Sequence, residues 1–466
     1  MGGSGVTAVA WSIDGTTFSY RSPLGGGVPL GGYVVVTSPQ GALLGQVLSQ
    51  RSLEEAGRRF VTGTGRLLDA PPGLIAFEEV ALSAAPDRLV AERLGRRGAT
   101  LELGTLRGAP EVTARLEAKG FNRHTFLCGQ SGSGKTYSLG RLLEELVLRT
   151  RLPLLVLDPN GDHVHLGQTR TGVDQAVAAA YAEAARGVQV LGAEPRDGVA
   201  PLRIRLKELG AAAVAALLQL DPIADREEYN ALLHALRSAP AAGFESVEAA
   251  TEAFRISGDE VLEQIRMRME NLGVDRMAAW AKRSARSVAE VWEQDRPRAV
   301  IADTSGFEER RERIAVSVAV LEHLWANRQQ RRPLLLVVDE AHDVCPADPA
   351  DPLQRLAVDQ FTRIAGEGRK YGIHLLLASQ RPDKLPENVL SQCDNLLLMR
   401  VNSAGDRAAL ASMFGFVPPE LVELSGTFGL GESLLAGRVS PDPQLARTGA
   451  RLTPEGGADI PTDWAT

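Results

Sequence analysis

The sequence is poor in cysteine, and it contains no apolar run long enough to cross a bilayer. Its three cysteines, Cys128, Cys345 and Cys393, lie far apart and form no C-x-x-C pair, which argues against a disulfide framework and a structural zinc site. Residues 1–5 are not a basic segment followed by an apolar one, so no export signal is predicted. Together these absences predict a cytoplasmic protein without a membrane anchor.

An excess of positive charge is also absent. The net charge is −7 and the isoelectric point about 5.7, which argues against a protein that coats DNA with its whole surface. A DNA-binding channel is compatible with this net charge, because a few basic residues repeated by symmetry around a channel create a positive field there. The net charge of the whole chain does not report such a local field. With 466 residues, 44% hydrophobic and 23% charged, the chain is predicted to be a globular protein of two or three domains.

Residues 6–103 are predicted to form a small β-barrel. Short segments of strand-forming residues alternate there with turns such as Gly25-Gly26-Gly27 and Pro71-Pro72-Gly73. The predicted strands are 6–12, 16–21, 33–38, 42–49, 60–64 and 99–103.

From about residue 106 the pattern changes to alternating strands and helices. Continuous apolar runs predict strands of a parallel sheet covered on both faces, at Leu154–Asp158, Ala299–Asp303, 334–339 and Ile373–Ser379. Between residues 169 and 298, alanine-rich segments predict a helical insertion, with helices at 173–185, 207–220, 226–238 and 259–285. Segment 307–330 is predicted to be a crossover helix whose charged side faces water.

A glycine-rich segment after the apolar stretch Thr125-Phe126-Leu127-Cys128 matches the phosphate-loop pattern G-x-x-x-x-G-K-[ST] in full. Its glycines let consecutive backbone N–H groups point at phosphate oxygens, and the helix predicted from Thr136 adds its positive end. Lys135 is predicted to reach the β- and γ-phosphates of ATP, and the Thr136 hydroxyl to ligate Mg²⁺. The predicted nucleotide-binding residues of the loop are Gly129, Gln130, Ser131, Gly132, Ser133, Gly134, Lys135 and Thr136.

A second apolar run, 334–338, ends in two carboxylates, which is the pattern of a Walker B strand. Asp339 is predicted to hold Mg²⁺ through water, and Glu340 to orient and polarise the attacking water. Adjacent acids at a strand end also occur as solvated turn residues, but the preceding apolar run and the upstream phosphate loop favour the catalytic interpretation. His163 and His165 have no evident third ligand, so no metal besides Mg²⁺ is predicted.

The letters Asp339-Glu340-Ala341-His342 also name one helicase superfamily, and that assignment fails. The spacing from Lys135 to Asp339 does not fit, and the downstream Ser-Ala-Thr and Q-x-x-G-R-x-G-R elements are missing. The next strand instead ends in Ser379-Gln380-Arg381-Pro382, where Gln380 is predicted to sense the γ-phosphate or the water.

Taken together, these motifs resemble the HerA branch of the HerA–FtsK superfamily of DNA translocases. The resemblance includes the phosphate loop, the long helical insertion, the D-E-A-H strand end and the segment G-R-K-Y-G-I-H-L-L-L-A-S-Q-R-P. Asp158-Pro159-Asn160-Gly161-Asp162 is similar to the family's D-P-H-G-E element, with Asn160 and Asp162 as mild departures. Segments 301–306 and 430–437 also match, so that the resemblance covers nearly the whole chain.

The resemblance implies a RecA-like α/β P-loop ATPase core with a helical insertion, preceded by a small N-terminal β-barrel. The implied domains are the barrel at 1–105, the first part of the core with the phosphate loop at 106–168, the insertion at 169–298, and the second part of the core with the Walker B strand, the sensor and the C-terminal strands at 299–466.

The resemblance also implies a homo-hexameric ring that uses ATP and Mg²⁺ to pull double-stranded DNA through its channel. Arg369 matches the arginine finger that acts on the ATP of the neighbouring subunit, and Arg123 matches a second arginine near the nucleotide. For each, a surface arginine or a structural ion pair is the alternative. Asp158 is expected either to organise the water and metal ligands or to cap the turn at Gly161.

No nuclease motif is visible, so any DNA cleavage would have to come from a partner. The family implies a NurA-type nuclease, or an antiphage effector such as a sirtuin-like or nuclease subunit, docked on the N-terminal barrel. Two alternatives stay open: an oligomeric scaffold in which ATP hydrolysis is slow and regulatory, and a soluble conjugation-type ATPase of the same superfamily. The presence of both Glu340 and Arg369 favours the motor over the scaffold.

Overall fold

The computed structural model describes residues 8–25, 28–55, 57–68, 70, 73, 75–96, 98–238, 244, 246–282 and 285–456. Parts of the two predicted turns, Gly26-Gly27 and Pro71-Pro72, lie outside these residues. The chain divides into two compact units, each built from segments that are far apart in sequence. Of the described residues, those within 8–120, 128–138 and 394–450 form the barrel unit, and those within 121–127, 139–393 and 451–456 form the sheet unit.

Strands predominate in the first part of the described chain, and helices and strands are interspersed in the rest. The strands are β1 Val9–Ser12, β2 Thr17–Pro23, β3 Tyr33–Ser38, β4 Gly41–Val47, β5 Arg51–Glu55, β6 Arg58–Leu67, β7 Phe77–Ala84, β8 Ala99–Leu106, β9 Ala109–Glu117, β10 His124–Cys128, β11 Leu154–Asp158, β12 Val188–Gly192, β13 Val199–Pro201, β14 Ala299–Asp303, β15 Leu334–Val338, β16 Ile373–Ser379, β17 Cys393–Leu398, β18 Glu432–Gly437 and β19 Gln444–Thr448. The α-helices are α1 Asp87–Arg96, α2 Lys135–Arg149, α3 Gln175–Ala184, α4 Ala211–Leu217, α5 Arg226–Ser238, α6 Val247–Ile256, α7 Glu260–Asn271, α8 Val288–Asp295, α9 Arg310–Ala326, α10 Pro352–Glu367, α11 Glu387–Leu390, α12 Ala404–Met413 and α13 Pro419–Glu423.

The barrel unit contains the predicted barrel, which is closed by six antiparallel strands. They follow the order β2-β1-β7-β3-β4-β6, and β6 returns to pair with β2, while β5 extends from β6 outside the ring. The sequence did not predict β5 or β7. Every residue of β5 is exposed and β7 alternates only partly, so neither has the apolar pattern of a half-buried strand.

Two glycines allow the barrel to close around the ring of Phe18. A Cβ atom at Gly65 would lie 2.1 Å from Phe18 Cζ, and one at Gly45 would lie 2.8 Å from Phe18 Cε1. Phe18 and Tyr20 are both fully buried and form the centre of the barrel core. The two glycines therefore serve packing, because no larger side chain fits between the strands and the ring.

The remaining strands of the barrel unit form an antiparallel ribbon in the order β17-β18-β19-β8-β9. The strand predicted at 99–103 is therefore present, but it pairs within this ribbon and not with the barrel. A buried ion pair of 2.9 Å between Arg93 Nη2 and Asp442 Oδ1 ties α1 to the loop before β19. The Gln46 side chain on β4 donates a hydrogen bond of 2.6 Å to the Pro443 carbonyl oxygen in the same loop.

The sheet unit is built on strands in the order β13-β12-β14-β11-β15-β16-β10, and the paired strands from β13 to β16 run parallel. Every residue of β11, β14, β15 and β16 is buried, as their continuous apolar sequences predict. The short strands β12 and β13 lie in the region predicted to be helical. Because the strands are parallel, their carboxyl ends meet at one edge of the sheet and their amino ends at the opposite edge.

The helix predictions are correct in type but not always in extent. The helix predicted at 259–285 ends at Asn271, because Gly273 adopts a left-handed φ of 68° just beyond it. The prediction that α9 turns a charged side to water is wrong, since residues 314–321 are all buried and its arginines are confined to the first turn. No helix among the residues that the structure describes is long and apolar enough to span a membrane.

The part of α2 that lies in the sheet unit is anchored by a buried carboxylate. Glu144 accepts hydrogen bonds from Arg451 Nε at 3.1 Å and from the backbone N–H groups of Leu452 and Thr453 at 2.8 and 2.9 Å. Gly140 makes room for the arginine, because a Cβ there would lie 2.3 Å from Arg451 Cζ. Residues 451–453 thus fix the helix that follows the phosphate loop.

Gly65→Ala is expected to destabilise the protein by more than about 2 kcal/mol, because its methyl group would overlap the Phe18 ring and the carbonyl oxygen of Gln46. Gly95→Ala, in the last turn of α1 with open space around it, is the control and is expected to stabilise by up to about 1 kcal/mol. Urea unfolding combined with hydrogen exchange of the barrel amides measures both. Equal stability of the two variants would contradict the packing argument.

Candidate functional site

The predicted phosphate loop joins a strand to a helix, as phosphate binding requires. β10 ends at Cys128 and α2 begins at Lys135, so that residues 129–134 form the turn between them. Gly132 and Gly134 adopt left-handed φ values of 71° and 90°, which a residue with a side chain rarely takes. Lys135 is buried and Thr136 is half-buried in the first helical turn.

Within the barrel unit, the loop is held by the segment that follows β17. The Arg400 carbonyl oxygen accepts from the Gln130 N–H at 3.0 Å, and Arg400 Nη2 donates to the Gly132 carbonyl oxygen at 2.8 Å. The Gly431 N–H donates to the Ser133 carbonyl oxygen at 2.9 Å. Sequence reasoning missed Arg400, because an arginine directly after an apolar strand carries no recognisable motif.

In the sheet unit, the structure brings Glu340 and Gln380 together at the carboxyl edge. Gln380 Nε2 donates a hydrogen bond of 2.7 Å to Glu340 Oε1, and Glu340 Oε2 lies 3.4 Å from His342 Nδ1. Glu340 is buried and adopts a left-handed φ of 42°, a strained conformation for a residue with a side chain. The two acids have different neighbours, since Glu340 contacts Gln380 while Asp339 Oδ2 lies 3.5 Å from His163 Nε2.

Asp158, at the end of the neighbouring β11, caps the turn that contains Gly161. Its Oδ1 and Oδ2 accept from the backbone N–H groups of Asp162 at 3.1 Å and His163 at 2.8 Å. Burial raises the pKa of Asp158 and the Asp339 carboxylate raises it further, against the lowering effect of His163 and of the two backbone hydrogen bonds. Asp158 is therefore coupled electrostatically to Asp339 as well as to its own turn.

The two predicted arginines lie at the opposite edge of the sheet. Arg369 precedes β16 while Gln380 follows it, and a strand of seven residues spans about 23 Å. Arg123 directly precedes β10, whose first residue, His124, accepts a hydrogen bond from the N–H of Leu375 near the start of β16. The structure thus does not bring Arg369 or Arg123 together with Glu340 inside one chain.

The charges of both arginines act on two buried histidines. His124 Nε2 lies 3.0 Å from the Ala365 carbonyl oxygen while Nδ1 accepts from Leu375, which assigns a neutral ring protonated at Nε2. Burial, then Arg369, lowers the pKa of His124 to about 3. Burial, then Arg123 and Arg369, lowers the pKa of His374 to about 4.

Carboxylates follow strands at the carboxyl edge of the sheet and basic residues precede strands at the amino edge, and charges of the opposite sign pair with some of them, as Arg196 does with Asp303 and Glu293 with Arg332. At the carboxyl edge, β11 ends in Asp158, β14 ends in Asp303, and β15 is followed by Asp339 and Glu340. Basic residues precede the strands at the amino edge. They are Arg186 before β12, Arg296 and Arg298 before β14, Arg149 and Arg151 before β11, Arg331 and Arg332 before β15, Arg369 and Lys370 before β16, and Arg123 before β10.

A sequence profile described as "Helicase HerA, central domain" matches residues 101–334, half of the chain. The chain belongs to the HerA family. The resemblance in its motifs is therefore confirmed, and with it the assignment as a P-loop ATP hydrolase.

A HerA protein of Pyrococcus furiosus, named a DNA double-strand break repair helicase, is 22% identical over 432 residues, covering 78% of this chain and 71% of that protein. HerA of Sulfolobus acidocaldarius is 31% identical over 115 residues, which is 25% of this chain and 22% of that protein. Among solved structures, VirB4 of Thermoanaerobacter pseudethanolicus superposes with a TM-score of 0.51 and 17% identity, covering 76% of this chain and 97% of that chain. This likeness supports the RecA-like α/β fold.

Lowering the pH from 7 to 5 is expected to destabilise the protein through His374. In the unfolded chain the imidazole pKa is near 6.5, whereas in the folded chain it is about 4. The unfolded state therefore binds the proton first, so that stability is intact above about pH 6.5 and falls by about 2 kcal/mol towards pH 5.

His374→Leu removes the buried imidazole and is expected to shrink this pH-dependent loss by about 2 kcal/mol, measured by urea unfolding at both pH values. His234→Leu, at an exposed position on α5, is the control and should leave the loss unchanged. The same pH dependence in His374→Leu and the parent protein would show that the ring is not buried in its neutral form.

Proposed function

We propose that the protein is a Mg²⁺-dependent ATP-driven motor that moves double-stranded DNA and works as a homo-hexamer. One observation carries the proposal. The Glu340–Gln380 pair lies at the carboxyl edge of the sheet and Arg369 lies at the amino edge, so one chain holds the two parts of a hydrolysis site facing opposite ways. DNA as the substrate is supported by the names of the HerA relatives.

The residues present fit a nucleotide with Mg²⁺. The left-handed glycines of the phosphate loop expose backbone N–H groups, and Lys135 begins the helix whose positive end favours phosphate. Hydroxyl and carboxylate oxygens are ligands that Mg²⁺ prefers, and Thr136 and Asp339 are the proposed donors. When bound, Mg²⁺ would neutralise charge on the β- and γ-phosphates.

Glu340 is the proposed residue that orients and polarises the attacking water. Gln380 fixes the Glu340 carboxylate through the hydrogen bond of 2.7 Å and is the proposed sensor of the γ-phosphate. A cavity of about 20 Å³ borders Asp339, Glu340 and Thr304, which is enough for a single water molecule. Asp158 is proposed to keep its loop and the charge next to Asp339 in place.

Arg369 is the proposed arginine finger and acts on the ATP of the next copy. Its place at the amino edge keeps it from its own Glu340, so the arginine that completes the site of one copy is proposed to come from the amino edge of another. A head-to-tail contact of this kind is heterologous and forms a ring when its rotation closes. Arg123, on the same edge, is proposed to reach the same neighbouring nucleotide.

The partner of the motor is proposed from the family resemblance. It is a NurA-type nuclease or an antiphage effector subunit that docks on the barrel formed by β1–β4, β6 and β7. The division of the chain into the four domains named above is likewise part of this proposal.

Glu340→Gln is expected to reduce ATP turnover by about 10²- to 10⁴-fold while leaving nucleotide binding intact, because the amide cannot polarise water. The measurement is ATP hydrolysis with and without linear duplex DNA, alongside the mass of the assembly and binding of a fluorescent ATP analogue. DNA should stimulate the parent protein. Unchanged turnover in Glu340→Gln, or a monomer with nucleotide and DNA present, would refute the motor.

Mixing two inactive variants is expected to restore hydrolysis, because an intact site draws its loop from one copy and its arginine from the next. Arg369→Ala alone should lose about 10³-fold or more in turnover. An equal mixture with Lys135→Ala should recover up to roughly a quarter of the parent rate, since random order joins an intact loop to an intact arginine at one interface in four.

The control mixture joins Lys135→Ala with Glu340→Gln. Both changes damage the same part of the site, so every site in that mixture is defective and no activity should return. No recovery in the Arg369→Ala mixture would place Arg369 in the site of its own chain, and recovery in the control would show that Lys135 and Glu340 of one chain serve different sites.

A further inference from the structure

His163 is a fully buried histidine that the hydrolysis scheme above does not use. Its side chain has no exposed surface, and neither ring nitrogen makes a hydrogen bond among the residues that the structure describes. An unsatisfied buried polar group costs roughly 1–3 kcal/mol, so a leucine of similar volume would pack there more stably. The imidazole therefore calls for an explanation beyond packing.

The ring faces the carboxylate proposed to hold Mg²⁺. His163 Nε2 lies 3.5 Å from Asp339 Oδ2, close enough for electrostatic attraction but long for a hydrogen bond. The other carboxylate oxygen, Asp339 Oδ1, accepts from the Glu340 backbone N–H at 2.9 Å. One carboxylate oxygen of Asp339 is thus held by the backbone N–H of the next residue, Glu340, and the other oxygen faces the ring of His163.

The backbone around His163 is fixed by Asp158, which explains why the ring reaches Asp339. The Asp158 carboxylate accepts from the N–H groups of both Asp162 and His163, and the Asp339 N–H in turn donates to the Leu157 carbonyl oxygen at 3.1 Å. The carboxylates of Asp158 and Asp162 also interact electrostatically with His163, in addition to that of Asp339. A ring N–H in that position offsets their mutual repulsion.

We propose that His163 is a positioning residue that holds the Asp339 carboxylate in the orientation required for Mg²⁺. The inference rests on the proposed role of Asp339 as a metal-binding residue. His163 acts through Asp339 and does not touch the metal or the nucleotide. In metal sites, partners that orient a ligand in this way change metal affinity by about 10- to 100-fold when removed.

A packing role makes a different prediction from a positioning role. If the ring only fills space, His163→Leu should bind Mg²⁺ and ATP as well as the parent protein does. His163→Gln should then bind them no better than His163→Leu. If the ring N–H orients Asp339, His163→Gln should rescue much of the function, because its amide nitrogen can lie near the position of Nε2. His165→Leu, half-buried two residues further on, is the matched control.

The test measures the Mg²⁺ concentration that gives half-maximal binding of a fluorescent ATP analogue to the full chain, with turnover measured in parallel. His163→Leu is expected to raise this concentration by about tenfold, and His163→Gln and His165→Leu by less than about threefold. Binding of the analogue in excess chelator should stay unchanged. At saturating Mg²⁺, kcat should fall more than KM for ATP changes.

A parent-like Mg²⁺ requirement in His163→Leu, or equal defects in His163→Leu and His163→Gln, would overturn the proposal. If His163→Leu does not fold, His163→Met replaces it, and it should raise the Mg²⁺ requirement about tenfold in the parent but have no further effect in an Asp339→Asn background. If Asp339→Asn leaves the Mg²⁺ requirement of the parent unchanged, the proposed metal role of Asp339 fails, which is distinguishable from a failure of His163.

Discussion

The burial of the parallel strands on both faces is the constraint on which the sheet unit depends. β11, β14, β15 and β16 contain no exposed residue, so charged side chains can stand only where strands begin or end. The charged side chains next to these strands therefore stand at the two edges of the sheet. Asp158, Asp303, Asp339 and Glu340 stand at one edge and Arg123 and Arg369 at the other, and the proposed chemistry needs groups from both edges. The burial of the sheet on both faces thus also determines where the residues of the proposed ATP hydrolysis site stand.

The residues proposed to bind ATP and to hydrolyse it are held in place by backbone conformation and backbone hydrogen bonds more than by side-chain packing. Glu340 takes a left-handed conformation, the glycines of the phosphate loop do the same, and the Asp158 carboxylate binds two backbone N–H groups. Conformations of this kind cost about 1–3 kcal/mol each for residues with side chains and persist only where the surrounding structure enforces them. Here the enforcement comes from buried strands that end immediately before each turn.

The sequence predicts those parts of the fold whose physical signal is local. β11, β14 and β16 are predicted to the residue because a fully buried strand is a continuous apolar run, and the phosphate loop is predicted because its glycines have no substitute. β5 and β7 escape prediction because neither has the apolar alternation of a half-buried strand, and β7 in addition pairs with strands distant in sequence. The contact of His163 with Asp339, and that of Arg400 with Gly132, each join segments more than a hundred residues apart, so no local pattern reports them.

The distance between Arg369 and Glu340 within one chain has a genetic consequence. In the proposed head-to-tail ring, an inactive copy disables its own ATP site. It also disables the ATP site of the neighbouring copy that needs its arginine. A defective allele expressed together with a normal one would therefore inactivate rings that contain both kinds of subunit, and its effect would be dominant. Isolated copies, for the same reason, would be inert until enough of them accumulate to meet, so that abundance alone would switch the activity on.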